Sequence, residues 1–333
     1  MRIIVNGETR ECKSPLTVSD LVADLNLTGA WLAIAIRGNV VPRDRWVETG
    51  LQENDEVDIV RAVGGGSQEA DDPLVLGGRT FYSRLFCGTG KFSTMDQMVA
   101  AHAAAGTEMV TVAIRYMDLN APGGGDILSH LDLNKVQLLP NTAGAYTAEH
   151  AVTMARLARE ATGTNWIKLE VIGDQETLLP DLGGTLQAAA QLVKEGFVVL
   201  PYTTADLITC LRLEDMGCAA VMPLASPIGT GQGLTDWSSI RRVVERVKIP
   251  VVVDAGIGCA TDASQAMEIG ASAVLVNTAI ARAADPVLMA EAMKYGVWAG
   301  RRSHLAGRIA KTAAANPSSP TTGVPGRKAG EVE

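Results

Sequence analysis

The chain has 333 residues, with 29 Lys plus Arg against 37 Asp plus Glu, a formal net charge of −8 and 47% hydrophobic residues. This length suits a barrel of about 250 residues plus a small module, the apolar content can fill a core, and the acidic balance repels a phosphodiester backbone and gives no sign of the basic stripe that a nucleic-acid partner needs. Five cysteines and four histidines without ligand spacing predict neither a disulfide framework nor a metal site, and no apolar run approaches the roughly 18 residues of a membrane span.

Met1 leads straight into RIIVNG with no basic region and apolar stretch of a signal segment, so a cytoplasmic protein is expected. RIIVNGETRECK places two β-prone runs around Asn6-Gly7, a strong short-range hairpin signal. The segment from Ser19 to Leu25 then offers apolar residues at helical spacing after a capping residue. Strand-like LAIAIRGNVV and DEVDIVRAV complete a ββαβ…β order and lead into Gly64-Gly65-Gly66. Residues 1–66 are therefore expected to form a small α+β domain with a flexible glycine tail, followed by a polar, proline-ended linker at 67–73.

From about residue 74 to 311 short apolar runs alternate with helix-period segments. The runs are SRLFC, MVTVAI, VQLLP, WIKLEVI, FVVLP, AAVMPL, PVVVDAG and AVLVNTA, and segments such as TAEHAVTMARLAREAT and WSSIRRVVERV lie between them. Eight apolar strands separated by single helices predict parallel pairing and an α/β fold, a (βα)8 barrel. An open doubly wound sheet is the structural alternative, weakened by the lack of a Gly-x-Gly-x-x-Gly after the first strand. Residues 312–333 mix Ala, Asn, Pro, Ser, Thr and Gly without period and are expected to be disordered.

In such barrels catalytic groups project from the C-terminal ends of strands. Lys168 and Glu170 lie two apart in WIKLEVI, so the strand period puts both on one face, with Ile167, Leu169 and Val171 turned to the helices. Burial is expected to lower the lysine pKa and leave a neutral amine to attack a carbonyl, with Glu170 beside it to move protons. The alternative is an internal ion pair that ties strands together. Asp254 ends the seventh run and is followed by Ala255 and Gly256, the eighth ends in Asn277-Thr278, and SPIGTGQG after the sixth contains Gly229. Loops after strands seven and eight commonly hold phosphate, which makes Ala255, Gly256, Asn277 and Thr278 phosphate candidates; the alternative is a set of tight turns. Cys87, Cys259 and the four histidines receive no role.

With these residues in place, the segment from about Pro73 to Ile309 resembles bacterial thiazole synthase. The motifs that carry the resemblance are SRLFCGTGKF, LLPNTAGAYTAEHAV, WIKLEVIGD, TLLPD, EGFVVLPYT, MPLASPIGTGQG, VVVDAGIG and LVNTAI. The resemblance implies a sulfur transferase of thiamine biosynthesis. It would condense 1-deoxy-D-xylulose 5-phosphate, a glycine-derived imine (dehydroglycine) and sulfur from a carrier-protein thiocarboxylate, using a Schiff base on Lys168. Glu170 and Asp254 match the family's acid–base carboxylates, and Gly229, Ala255, Gly256, Asn277 and Thr278 match its substrate-binding positions. Arg115-Tyr116 departs from the two consecutive arginines usual there.

Residues 1–66 resemble the family's sulfur carrier, a β-grasp domain ending in Gly65-Gly66. Here Gly66 is followed by Ser67, so its carboxyl is locked in an amide. Either cleavage after Gly66 frees the carrier, or a separate carrier chain supplies the sulfur. The resemblance further implies an oxidase or lyase that supplies the imine and a homo-oligomer, specifically a homotetramer; the sequence itself indicates no bound metal or organic cofactor. Competing readings are a lysine-imine barrel of aldolase or pyridoxal-phosphate-synthase type, which needs no Gly-Gly tail, and a non-catalytic scaffold, against which Lys168, Glu170 and Asp254 stand.

Overall fold

The computed structural model describes residues 1–25, 32–61, 72–113, 127–316 and 318. Gly65-Gly66, Arg115-Tyr116, most of the expected linker and residues 319–333 of the expected disordered tail lie outside the described residues. The chain divides into two compact units, Met1–Asp72 and Pro73–Glu333.

The first unit opens with β1 (Arg2–Val5) and β2 (Glu8–Glu11), antiparallel around Asn6 and Gly7. Their φ values of 48° and 83° give the left-handed pair that a two-residue hairpin turn requires. Helix α1 (Val18–Asp24) begins one residue before the expected capping Ser19. Thr17 takes the cap because its hydroxyl accepts the Asp20 N–H at 3.2 Å while Asp20 Oδ2 accepts the Thr17 N–H at 3.0 Å, a reciprocal capping box. With β3 (Leu32–Ile36), β4 (Asn39–Val41) and β5 (Glu56–Arg61), the sheet order is β2-β1-β5-β3-β4. Strand β5 runs parallel to β1 and antiparallel to β3. Ile3, Val5, Ile34 and Val57 turn one face of the sheet onto Val18 and Leu21 of the helix. This is a ubiquitin-like β-grasp.

The second unit starts with a hairpin absent from the expected elements, β6 (Leu74–Leu76) and β7 (Arg79–Phe81). Gly77 and Gly78 turn it with φ of 55° and 80°, and a Cβ on Gly77 would lie 2.6 Å from Val198 Cγ1 and 2.8 Å from Trp166. Trp166 and Val198 open their strands, so the hairpin closes the N-terminal end of the barrel. Its Leu74, Leu76 and Phe81 join the barrel interior.

The eight barrel strands are β8 (Leu85–Gly88), β9 (Met109–Ala113), β10 (Gln137–Asn141), β11 (Trp166–Leu169), β12 (Val198–Thr203), β13 (Met222–Pro223), β14 (Val252–Asp254) and β15 (Ala273–Val276). Their order, β13-β12-β11-β10-β9-β8-β15-β14, is parallel throughout. Parallel bridges Val221–Val251 and Leu224–Asp254 join the two ends, so the predicted barrel closes. All eight expected runs contain a strand. Six are shorter than their apolar runs, because strand pairing ends where the chain turns out toward a loop, whereas β10 equals its run in length and β12 extends past FVVLP to Thr203.

Helices α2 (Met95–Ala105), α3 (Ala148–Thr162), α4 (Leu182–Lys194), α5 (Leu207–Asp215), α6 (Trp237–Arg246), α7 (Ala260–Glu268), α8 (Thr278–Ala281) and α9 (Pro286–Ala306) surround it. The hydroxyls of Thr94 and Thr147 and the carboxylates of Asp206, Asp236 and Asp285 cap five of them. Ile167, Leu169 and Val171 pack outward with Ala151, Ala155, Ala188 and Leu192, as the alternation in β11 requires. Among the described residues, no helix is long and apolar enough to cross a membrane.

Candidate active site

A cavity of about 650 Å³ opens at the C-terminal ends of the barrel strands, a size suited to a small organic substrate. All eight residues singled out in the barrel line it: Lys168, Glu170, Asp254, Gly229, Ala255, Gly256, Asn277 and Thr278. Gly65 and Gly66 lie outside the described residues.

Lys168 stands in β11, and Glu170 one residue past that strand's end. Glu170 keeps its inward direction because the Thr142 hydroxyl accepts its backbone N–H and donates to its carbonyl, both at 2.8 Å. Lys168 Nζ lies 3.3 Å from Glu170 Oε1 and 2.5 Å from Asp254 Oδ2. Asp254 ends β14, and its Oδ1 accepts the Ala255 N–H at 2.8 Å, which leaves Oδ2 for the lysine. None of the three side chains is more than 7% exposed. The ring of Tyr202 lies 5.7 Å from the ammonium, and its hydroxyl donates to the Leu178 carbonyl at 3.3 Å.

The expectation that burial lowers the Lys168 pKa is corrected here. Desolvation does oppose the ammonium, but the charges of Asp254 and then Glu170 outweigh it and hold the lysine above its ordinary value. A strand period shows only one of these carboxylates, because Asp254 comes from a strand 86 residues further on. Burial pushes the Glu170 carboxyl above its ordinary range; Lys168 opposes that rise, and Asp254 adds to it. The free site therefore stores its proton on the lysine and holds a carboxylate that takes up a proton more readily than an exposed one.

The loops after β13, β14 and β15 converge above this group. Ala255 and Gly256 both have left-handed backbones, with φ of 59° and 69°, rare for an alanine and found mostly where function requires it. Gly256 is pressed against Ser226: a Cβ there would come 2.6 Å from Ser226 N and would overlap its hydroxyl. The Gly256 carbonyl accepts the Gly233 N–H at 2.9 Å and the Ser226 hydroxyl at 3.2 Å, which ties the two glycine loops together. Gly256→Ala should cost about 2–4 kcal/mol from strain plus overlap, seen as a lower denaturation midpoint. An unchanged midpoint would refute the close approach.

Asn277 and Thr278 begin α8, whose first N–H groups have no carbonyl partner in their own helix. Asn277 Oδ1 is buried without a hydrogen-bond partner among the described residues. Sequence reasoning passed over Lys91, Thr111, Asn141, Tyr146 and Arg282, which also line the cavity. Thr111 inside MVTVAI and Asn141 at the end of β10 carry no charge to set them apart, Lys91 comes just after a strand and Arg282 after a helical turn. Cys87 lies outside the cavity lining, and burial pushes its thiol up to about 12, which leaves it no role as a nucleophile.

Comparison with known proteins adds to this geometry. Residues 75–320 match the family described as thiazole biosynthesis protein ThiG, and residues 3–66 match the ThiS family. A protein of Paramagnetospirillum magneticum named thiazole synthase is 45% identical over 324 residues, covering 97% of this chain and 100% of its own. One of Myxococcus xanthus with the same name is 55% identical over 254 residues, covering 76% of this chain and 97% of its own. Among solved structures, a chain of the Amycolatopsis orientalis BexX/CysO complex is similar with a TM-score of 0.66 and 36% identity, covering 72% of this chain and 98% of that one.

Proposed function

The chain belongs to the thiazole biosynthesis protein ThiG family, with a ThiS-family sulfur-carrier domain ahead of its barrel, and from that premise we propose that its cavity joins Lys168 to the ketone of 1-deoxy-D-xylulose 5-phosphate as an imine. Membership makes it a thiazole synthase of thiamine biosynthesis, an enzyme that transfers sulfur. The observation that carries the imine reading is a single lysine, nearly closed off from water, between two carboxylates at the floor of a strand-end cavity.

Lys168 must lose a proton before its nitrogen attacks the ketone carbon. Glu170 is the acceptor we assign, since burial already raises its proton affinity. The proton then moves from Glu170 to the carbinolamine oxygen, which leaves as water while the C=N bond forms. Removal of a proton from the neighbouring carbon by Asp254 or Glu170 converts the imine to an enamine, which tautomerises to expose a new carbonyl. The carrier's thiocarboxylate sulfur adds there, its acyl group passes to the carbonyl oxygen and leaves as the carrier's carboxylate, so that sulfur replaces oxygen. Dehydroglycine then closes the ring, its nitrogen displacing the Lys168 amine from the former ketone carbon while the sulfur adds to its imine carbon, and the sugar's next hydroxyl is lost as water. Gly229, Ala255, Gly256, Asn277 and Thr278 hold the phosphate in this reading, with backbone N–H groups and a hydroxyl well suited to an anion.

Borohydride reduction in the presence of deoxyxylulose phosphate tests the proposal. The expected result is a covalent adduct of the sugar on Lys168, located by peptide mass spectrometry; well-folded protein that gives no adduct would refute it. For the carrier, we take cleavage after Gly66 as the route to a free terminal carboxylate. Protein from its native host should then contain a fragment ending at Gly66. If only intact chain is present and thiazole formation requires an added separate carrier, the second route holds.

A further inference from the structure

The floor and the rim of the cavity carry opposite charge. On the floor, one ammonium faces two carboxylates, and such an excess of negative charge repels a phosphate. At the rim stand Lys91 and Arg282, and among the described residues no carboxylate pairs with either. Lys91 follows β8 with a left-handed backbone, φ 71°, a conformation that turns the chain sharply at the cavity's edge. The position of a Cβ on Gly229 would be 3.7 Å from Lys91 Nζ and 3.9 Å from Thr278 Oγ1. An ammonium from the loop after the first barrel strand and a hydroxyl after the eighth thus both lie within 4 Å of one point beside the glycine loop that follows the sixth.

We infer that Lys91 is a specificity-determining residue that reads the phosphate of the sugar ketone, with the Thr278 hydroxyl as its neighbour. This rests on the imine reading above. The charge separation gives the substrate one orientation: its anionic end goes to the cationic rim, and its ketone reaches Lys168 on the floor. A ketone without phosphate gains nothing from Lys91.

The test uses the full-length chain and two ketones, deoxyxylulose phosphate and 1-deoxy-D-xylulose. The initial rate of borohydride trapping is followed against ketone concentration. With Lys91→Met, the concentration for half-maximal trapping of the phosphorylated ketone should rise about 10- to 100-fold, while the maximal rate stays within about 3-fold. The unphosphorylated ketone should trap as in wild type, and Lys91→Arg should recover most of the loss. Lys91 is exposed, so these changes leave the fold intact. Equal losses for both ketones, or no loss for either, overturn the inference.

Calorimetric binding of the phosphorylated ketone without borohydride separates the two readings. If Lys91→Met binds it as tightly as wild type, the role of Lys91 falls even though the adduct forms. If wild type gives no adduct but binds in a Lys91-dependent way, the imine reading falls and Lys91 keeps its role.

Discussion

Lys168→Ala is expected to abolish the borohydride adduct and to lower thiazole formation by at least about 10⁴-fold, since among the described residues no other amine stands in the cavity floor to take over as nucleophile. The same change has a second signature. It leaves Glu170 and Asp254 buried beside each other without a cation, an arrangement that costs about 3–5 kcal/mol when both stay charged. Protonation relieves that cost. A carboxyl whose folded pKa lies above its unfolded value contributes stability that is fully present below the unfolded pKa and is lost as pH rises through the folded one. Glu170 is already raised with Lys168 present, and loss of the cation that opposes the rise moves it further up. The variant should therefore denature nearer to wild type at mildly acidic pH than at pH 8. An equal gap at both pH values would show that the pair is not electrostatically coupled to the lysine.

Asp254→Asn is the second large effect. The amide keeps the shape of the side chain but removes the charge that most strongly counters desolvation of the Lys168 ammonium. The lysine pKa should fall, so the midpoint of the pH dependence of imine trapping should move to lower pH. Turnover should nonetheless drop about 10²- to 10⁴-fold, the range for a lost acid–base group. In wild type, with its pKa raised, Lys168 contributes stability that is complete below about pH 10, its unfolded value, and is lost as pH rises through the folded value. If Asp254→Asn left the trapping profile in place, Asp254 would not control the protonation of Lys168, whatever its effect on turnover.

Much of this site was legible in the sequence, and the legible part follows from strand periodicity. Because side chains alternate every two residues, WIKLEVI alone separates Lys168 and Glu170 from Ile167, Leu169 and Val171, and the structure sends the two sets to the cavity and to the helix layer. Asp254, Gly256 and Asn277 were legible for a related reason: in a closed parallel barrel every strand ends at the same mouth. The hairpin at Leu74–Phe81 was missed even though Gly77-Gly78 marks a turn, because its strands are only three residues long and their short apolar runs merge with the barrel strand that follows. Lys91 and Arg282 were missed because an exposed cation in a loop carries no period.

The sequence by itself determined the number of barrel strands, the hairpin and helix that open the first domain, the facing of each side chain in β11 and the chemical character of the strand ends, all of which depend on near neighbours in the chain, whereas LAIAIRGNVV, read as one strand-like run, folds as the antiparallel pair β3 and β4. Only the tertiary structure decided the charge state of the centre. Lys168 lies 2.5 Å from a carboxylate 86 positions away, and at that separation between buried side chains the Coulomb attraction outweighs the desolvation that a single strand suggests.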